Sequence, residues 1–483
     1  MLWLAISLPD FPLQVLARGL AAPDPFAVAE NRRILAANPA ARTAGVRPGM
    51  GLAGALAIAP RLITRPRSLP QEAAAQRELA ACCAAFTPQL SLDGSDGLVL
   101  EISASLRLFG GLTALTERSA AALAQLGYTA GLAAAPTPLA ARWLARARPG
   151  AVVRDTDRLA DELAALPVAV LDNPPALQAL LASIGAERLG DCLRLPRAGL
   201  ARRGAQAILD QLDRACARRP DPRTWFEAPP VYRAHLELPA ACDVADTLLL
   251  VVRRLLCGLA GWLAARLGGV ERYTLLLEHA DRAPTRLIVS LGALSRDEGR
   301  FALLAGEHLT RLELPAPVLG LTLAAEGVET LAGVSGDLFG RPVQARAQAG
   351  LLVERLAARL GREAVHGLCA WPEHRPELAS RSIAPGQAGR AAPARGARPI
   401  WLLCAPQRLE GEAEPWLDGP LHLLAGPERI ESGWWDETQD ERASSPGDTL
   451  RDYYVAQAAD GRLLWIFRSL LPPCAWHLHG IFA

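Results

Sequence analysis

Residues 2–8 (LWLAISL) form an apolar run, the pattern of a central strand buried on both faces. In residues 90–102 (LSLDGSDGLVLEI), Leu90 and Leu92 lie on one arm and Leu98, Leu100 and Ile102 on the other. Gly94–Ser95 stands between them, which predicts a β-hairpin. A helix is expected from about Thr113 to Leu126, stopped by Gly127, then a strand from Tyr128 to Ala134. Thr137–Pro138 opens the next helix as a cap followed by proline. This order predicts a small split-βαβ sheet with helices on one face. Residues 166–228 read as short helices. Residues 229–328 change style, with strand-like HLELP, a helix over 243–267, strand-like YTLLLEHA and TRLIVSLG, a helix over 300–310 and VLGLTLAAEGVE. That is a second α+β domain. Residues 385–399 read as a Pro/Gly/Ala/Arg linker, and no repeat of 20–50 residues is visible.

Composition bounds the class. A chain of 483 residues predicts three or more domains at roughly 100–200 residues each. With 51% hydrophobic and 21% charged residues it is a folding composition. The 51 basic residues, all Arg, nearly cancel 50 acidic ones, so any nucleic-acid surface must be local. One such locality is residues 26–67, with seven Arg against the single acid Glu30. Residues 229–328 are about neutral, and residues 401–483 carry six Arg against thirteen acids. Nine Cys without a CxxC pair argue against disulfide frameworks and zinc knuckles. MLWLAISLPDF lacks a basic n-region, and Arg253 and Arg254 split the apolar stretch Thr247–Val270. Its longest clean run, Leu255–Ala265, falls short of the ~18 residues of a span. A reduced, soluble, cytoplasmic protein is expected, with nucleoid association if it works on DNA.

Residues 37–50 (ANPAARTAGVRPGM), the hairpin 91–101 and residues 131–145 (GLAAAPTPLAARWLA) together resemble Y-family translesion DNA polymerases. The resemblance implies a multidomain α+β right hand. Its palm is expected at 1–25 and 68–165, fingers at 26–67, and a helix-hairpin-helix thumb at 166–228. A little finger is expected at 229–328. In that family an Asp on the first strand and an Asp–Glu pair at the hairpin hold two Mg²⁺ ions. Here those positions hold Ser7, Asp96 and Gly97. A hydroxyl and a glycine cannot neutralise divalent ions, so a non-catalytic palm without cofactor is expected. The alternative is an active polymerase, with Mg²⁺ held by Asp96 and Asp10, Asp93 or Glu101. Asp10 is an odd number of residues from Ser7, and Asp93 belongs to the opposite arm of the hairpin from Gly97. Arg42 and Arg142 match triphosphate-binding positions of the family, but Pro39 and Pro138 replace their Tyr and Lys companions. In the thumb, Gly185 and Gly190 would offer turn amides to DNA phosphates, with Arg202 and Arg203 adding charge.

The segment 329–384 carries GDLFGRP (336–342), in which Asp337, Leu338 and Phe339 resemble half of a β sliding-clamp-binding peptide. The blocks EHRPE (373–377), RPIWLL (398–403), GPERIESGWWD (426–436), RDYYVA (451–456), LLWIFR (463–468) and WHLHGIFA (476–483) follow. Together they resemble the ImuB family, Y-family-like accessory subunits of the bacterial mutasome. That resemblance implies a scaffold in SOS-induced translesion synthesis and mutagenesis. Its partners would be the β sliding clamp, a RecA-like ImuA protein, an error-prone C-family polymerase and primer–template DNA. Residues 400–483 are expected to form an acidic, β-rich partner-binding domain. Trp434, Trp435, Tyr453, Tyr454, Trp465 and Trp476 are candidate anchors, although most of these rings are expected to build its core. His477 and His479 lack the Cys or carboxylate neighbours of a metal site.

Overall fold

A computed structural model describes residues 1–18, 24–331, 341–387, 397–433 and 449–482. The chain divides into two compact units, Met1–Ala345 and Arg346–Ala483.

The first unit is built on an antiparallel sheet in the order Leu90–Asp93, Gly97–Glu101, Trp3–Ser7, Gly131–Ala135. All five residues of the first strand are buried. Trp3 and Ala5 pack with Val99 and Ala133 against Leu139, Trp143 and Leu144 of the Pro138–Ala147 helix. Leu4 and Ile6 pack with Leu98 and Leu100 against Leu79 of the Leu69–Cys83 helix and Leu115 of the Leu112–Gln125 helix. Helices therefore cover both faces, not the single face expected, because a strand apolar at successive positions exposes hydrocarbon unless both sides are roofed. The Pro138–Ala147 helix starts as foreseen, with Ala140 N donating to Thr137 Oγ1 at 3.2 Å. The strand expected from Tyr128 begins only at Gly131. Tyr128 instead buries its ring and accepts a 2.8 Å hydrogen bond from Arg18 Nη1.

Residues 26–66 fold as a small sheet in which Phe26–Glu30 runs between Arg33–Ala37 and Ile63–Pro66. Residues 175–215 hold four helices: Pro175–Ser183, Leu189–Arg194, Arg197–Arg202 and Gln206–Ala215. Gly185 makes a left-handed turn between the first two (φ +68°). Gly190 is not in that turn. It lies inside the Leu189–Arg194 helix, where a Cβ would come 3.0 Å from the Ala164 carbonyl oxygen. The next sheet runs Thr285–Ser295, Gly268–Glu278, Val318–Ala325, Tyr232–Cys242, with helices Ala245–Ala265 and Glu298–Arg311. Ala245–Ala265 is the one described helix long and apolar enough to cross a membrane. Leu248, Val252, Leu255, Leu259 and Leu263 bury its inner face, and Gly261 lets Cys82 approach so closely that a Cβ would lie 2.5 Å from its sulfur.

In the second unit five antiparallel strands lie in the order Trp401–Arg408, Trp476–Ile481, Leu463–Ser469, Thr449–Gln457, His422–Ser432. Tyr453, Trp465 and Trp476 are 1%, 2% and 4% exposed. They are core side chains, not free anchors: Tyr453 and Trp465 pack with Phe467 in one buried cluster, and Trp476 with Leu464 and Leu478 in another on the opposite face. Tyr454 is half-buried against Trp476. Among the described residues of this unit the exposed tryptophans are Trp401 and Trp416. Part of the expected 329–384 connector belongs to this unit: Ser432 Oγ donates to Glu373 at 3.1 Å and Arg451 Nη1 to Glu377 at 3.0 Å. Asp337, Leu338, Phe339, Trp434 and Trp435 lie outside the described residues, as does most of the expected linker.

Candidate functional site

The register of the first sheet brings the sequence-selected positions to one end. Ser7 stands opposite Gly97 on one side and Gly131 on the other, and Gly97 stands opposite Asp93. Leu8 N donates to Asp96 O at 2.8 Å, closing the same end. Lying on the opposite arm therefore does not remove Asp93. Directly paired residues share a face, and a Cβ at Gly97 would lie 3.9 Å from Asp93 Cβ. The same Cβ would lie 3.0 Å from Asp93 O and 3.2 Å from Ile6 O, so backbone crowds the place where a glutamate side chain would start. Gln76 Nε2 donates to Gly94 O and Gly97 O at 3.0 and 2.9 Å, pinning the hairpin tip from the Leu69–Cys83 helix.

What Asp93 and Asp96 face is guanidinium. Arg142 and Arg146 are one turn apart on the Pro138–Ala147 helix, so they share a face. Arg142 Nε lies 2.9 Å from Asp93 Oδ2, an ion-pair approach without hydrogen-bond alignment. Arg146 Nη2 donates to both oxygens of Asp96, at 2.9 and 3.1 Å. Asp172, from the loop before the Pro175–Ser183 helix, sits 2.5 Å from each of Arg142 and Arg146. From a distant stretch, Arg223 Nη1 donates to Asp93 Oδ1 at 2.7 Å and its Nη2 to Asp221 at 2.5 Å. Burial alone would lower the Arg223 pKa, yet the charges of Asp93 and Asp221 raise it. Gly94 is required here: φ is +60°, and a Cβ would fall 2.5 Å from Arg142 Nη2. The neighbouring cavity of about 390 Å³ is lined by Leu8, Phe11, Ala36, Asp96, Arg142 and Arg146, among others.

The remaining expected positions scatter. Asp10 leaves the first strand in a left-handed turn and ion-pairs with Arg42, tying the hairpin sheet to residues 26–66. Glu101 lies at the far end of its strand, opposite Trp3, and accepts from Ser103 N at 3.1 Å. Four residues of strand put it ~13 Å from Gly97. The turn amides at Gly185 are taken up by the preceding helix, Gly185 N donating to Ala182 O at 3.1 Å and Ala186 N to Leu181 O at 3.0 Å, and the next two, Glu187 N and Arg188 N, donate to Asp191 Oδ2 at 3.1 and 2.9 Å. Arg202 and Arg203 are exposed.

As a donor set this cluster does not fit two Mg²⁺ ions. Such a pair needs several carboxylates converging on one point, whereas here each of the four carboxylates is already engaged by one or two of three interleaved guanidiniums. Among the described residues no three His, Cys, Asp or Glu side chains gather as metal ligands. Sequence reasoning missed Arg146, Asp172, Asp221 and Arg223. Only Arg146 carried a signal, its i+4 spacing from Arg142; Asp172 arrives from 26 residues beyond Arg146, and Arg223, with Asp221 beside it, meets Asp93 from 130 residues away.

Comparison with known proteins supplies the lineage. Residues 10–146 match the impB/mucB/samB family. Among solved structures, DinB from Sulfolobus solfataricus (19% identity, TM-score 0.39) covers 67% of this chain and is itself 98% covered. An insertion ternary complex of Dbh DNA polymerase gives 18%, 0.39, 67% and 98% in the same terms. Protein ImuB of Caulobacter vibrioides, from each of two strains, is 30% identical over 458 residues, spanning 91% of this chain and all of that protein. By that end-to-end match, the chain belongs to the ImuB family.

Proposed function

We propose that this protein is a non-catalytic, Y-family-like scaffold in SOS-induced translesion synthesis and mutagenesis. It brings the β sliding clamp, a RecA-like ImuA protein and an error-prone C-family polymerase to primer–template DNA in the cytoplasm. The observation that carries this reading is the state of the palm carboxylates. Asp93 and Asp96 are each held by arginine, and Ser7 and Gly97 supply no anion. The competing reading, a working polymerase, would have to free Asp96 from Arg146 and find a second carboxylate. Asp10 is bonded to Arg42 and Glu101 lies at the other end of the strand.

DNA contact is supported by charge. Arg32, Arg33, Arg47, Arg61 and Arg65 are exposed and take part in none of the ion pairs among the described residues. Such a surface binds phosphates without regard to sequence. Clamp engagement is assigned to Asp337–Phe339, where Leu338 and Phe339 would fill an apolar pocket. Reconstitution tests the scaffold role: a C-family polymerase with clamp should bypass a template lesion only when the full chain is added. Leu338→Ala with Phe339→Ala should abolish that stimulation and clamp pull-down together. Bypass that is indifferent to the chain would refute the scaffold.

A further inference from the structure

Two crossings of the chain, far apart in sequence, end on the same arginine–aspartate cluster. At the first, chain entering the helices of residues 175–215 passes through Asp172, whose carboxylate is shared between Arg142 and Arg146. The second is the stretch 217–231, which leaves those helices for the sheet that begins at Tyr232. It contains no helix or strand of its own, and such a connector ordinarily swings on its ends.

Here it is fastened at three successive places. Arg223 reaches Asp93, with its side chain 13% and that of Asp93 6% exposed. Trp225 stacks on Trp3 at 6.0 Å between ring centres and 8° between planes. Phe226 N donates to Leu90 O at 2.7 Å, extending the hairpin edge by one bond. The backbone bond lies on the Leu90–Asp93 edge strand, whereas the stacking covers Trp3 of an interior strand. Arg223 reaches the buried Asp93, and Asp221 holds the other end of its guanidinium at 2.5 Å.

We propose that the cluster is a conformational latch. It fastens both the entrance to the helical thumb and its exit to the palm, so the 229–325 domain travels on a short, fixed tether and not on a free linker. The physical basis is the one-sided cost of opening. Pulling Arg223 out leaves Asp93 buried with one cation fewer, and such losses exceed those of exposed pairs. Asp172, at 52% side-chain exposure, is the weaker fastening and would let go first. The latch goes beyond the scaffold reading and is tested separately from it, since primer extension does not enter the measurement.

Hydrogen–deuterium exchange of the full-length protein, read by mass spectrometry, provides the test. In Arg223→Gln, peptides covering 217–231 should exchange at least tenfold faster, the Phe226 amide among them. Peptides covering 97–101 and 449–457 serve as internal references and should not change. Arg223→Lys keeps the charge but loses the fork that grips Asp93 and Asp221 together, so it should fall between wild type and Gln. Should the Gln protein fail to fold, shown by its reference peptides, the Lys variant decides. Exchange over 217–231 within twofold of wild type in the folded variants would overturn the latch.

Discussion

Asp93→Asn separates two accounts of the palm by the sign of one number. Asp93 is 5% exposed and stands between Arg142 and Arg223. Removing one partner of a buried ion pair costs about 3–5 kcal/mol, because the other charge stays behind unpaired. Three features reduce that figure here. Arg142 keeps Asp172, Arg223 keeps Asp221, and the amide oxygen of Asn still accepts a hydrogen bond. A loss of about 2 kcal/mol is therefore expected. With a urea m-value near 3 kcal/mol/M the midpoint should fall by about 0.7 M. The assay is urea unfolding of the full chain in EDTA, followed by tryptophan fluorescence, with Trp3 and Trp143 reporting from the palm core. Were Asp93 one of several carboxylates gathered for a metal, the metal-free protein would gain stability on losing it, through relief of like-charge repulsion. A variant as stable as wild type, or more so, would refute the ion-pair account.

Three further outcomes are expected. Ser7→Asp with Gly97→Glu restores two carboxylates on paper. It should still give no nucleotide incorporation, and it should cost about 1–3 kcal/mol, since a Cβ at position 97 meets backbone at 3.0 and 3.2 Å. In the second unit, burial holds His479 down at about 4 despite Glu377 nearby. The unfolded state thus binds the extra proton first as pH falls below 6.5. Stability should drop by up to about 3 kcal/mol between pH 6.5 and 4 and level off below, with wild type losing more than His479→Gln in urea melts at pH 7 and 4.5. For duplex binding, five exposed arginines of residues 26–66 on phosphates give a slope of about −4.5 in log affinity against log salt. Arg32→Ala with Arg33→Ala should reduce it by nearly 2, and a salt-independent affinity would rule this surface out.

The sequence was most legible where a single strand or helix carries its own signal. The apolar first strand, the Gly94 hairpin and the Thr137–Pro138 helix start are local patterns, and each occurs where the pattern places it. What escaped was two-sidedness and long-range charge. Covering of both faces was implied by LWLAISL itself, yet helix placement depends on connections that periodicity does not encode. Gly190 read as a turn glycine, but close packing on Ala164 demands the same residue. Most rings of the aromatic segment were expected in a core, but composition does not say which of them are the exceptions, since it fixes neither side of a sheet. Arg223 finding Asp93 across 130 positions left no trace in spacing.

The account stands most directly on whether the palm performs chemistry. Purified full-length protein, free of contaminating polymerase, should add no nucleotide to a primed template over a range of Mg²⁺ and Mn²⁺ concentrations, and Asp96→Ala should change nothing. Incorporation that requires a divalent ion and vanishes in Asp96→Ala would contradict it.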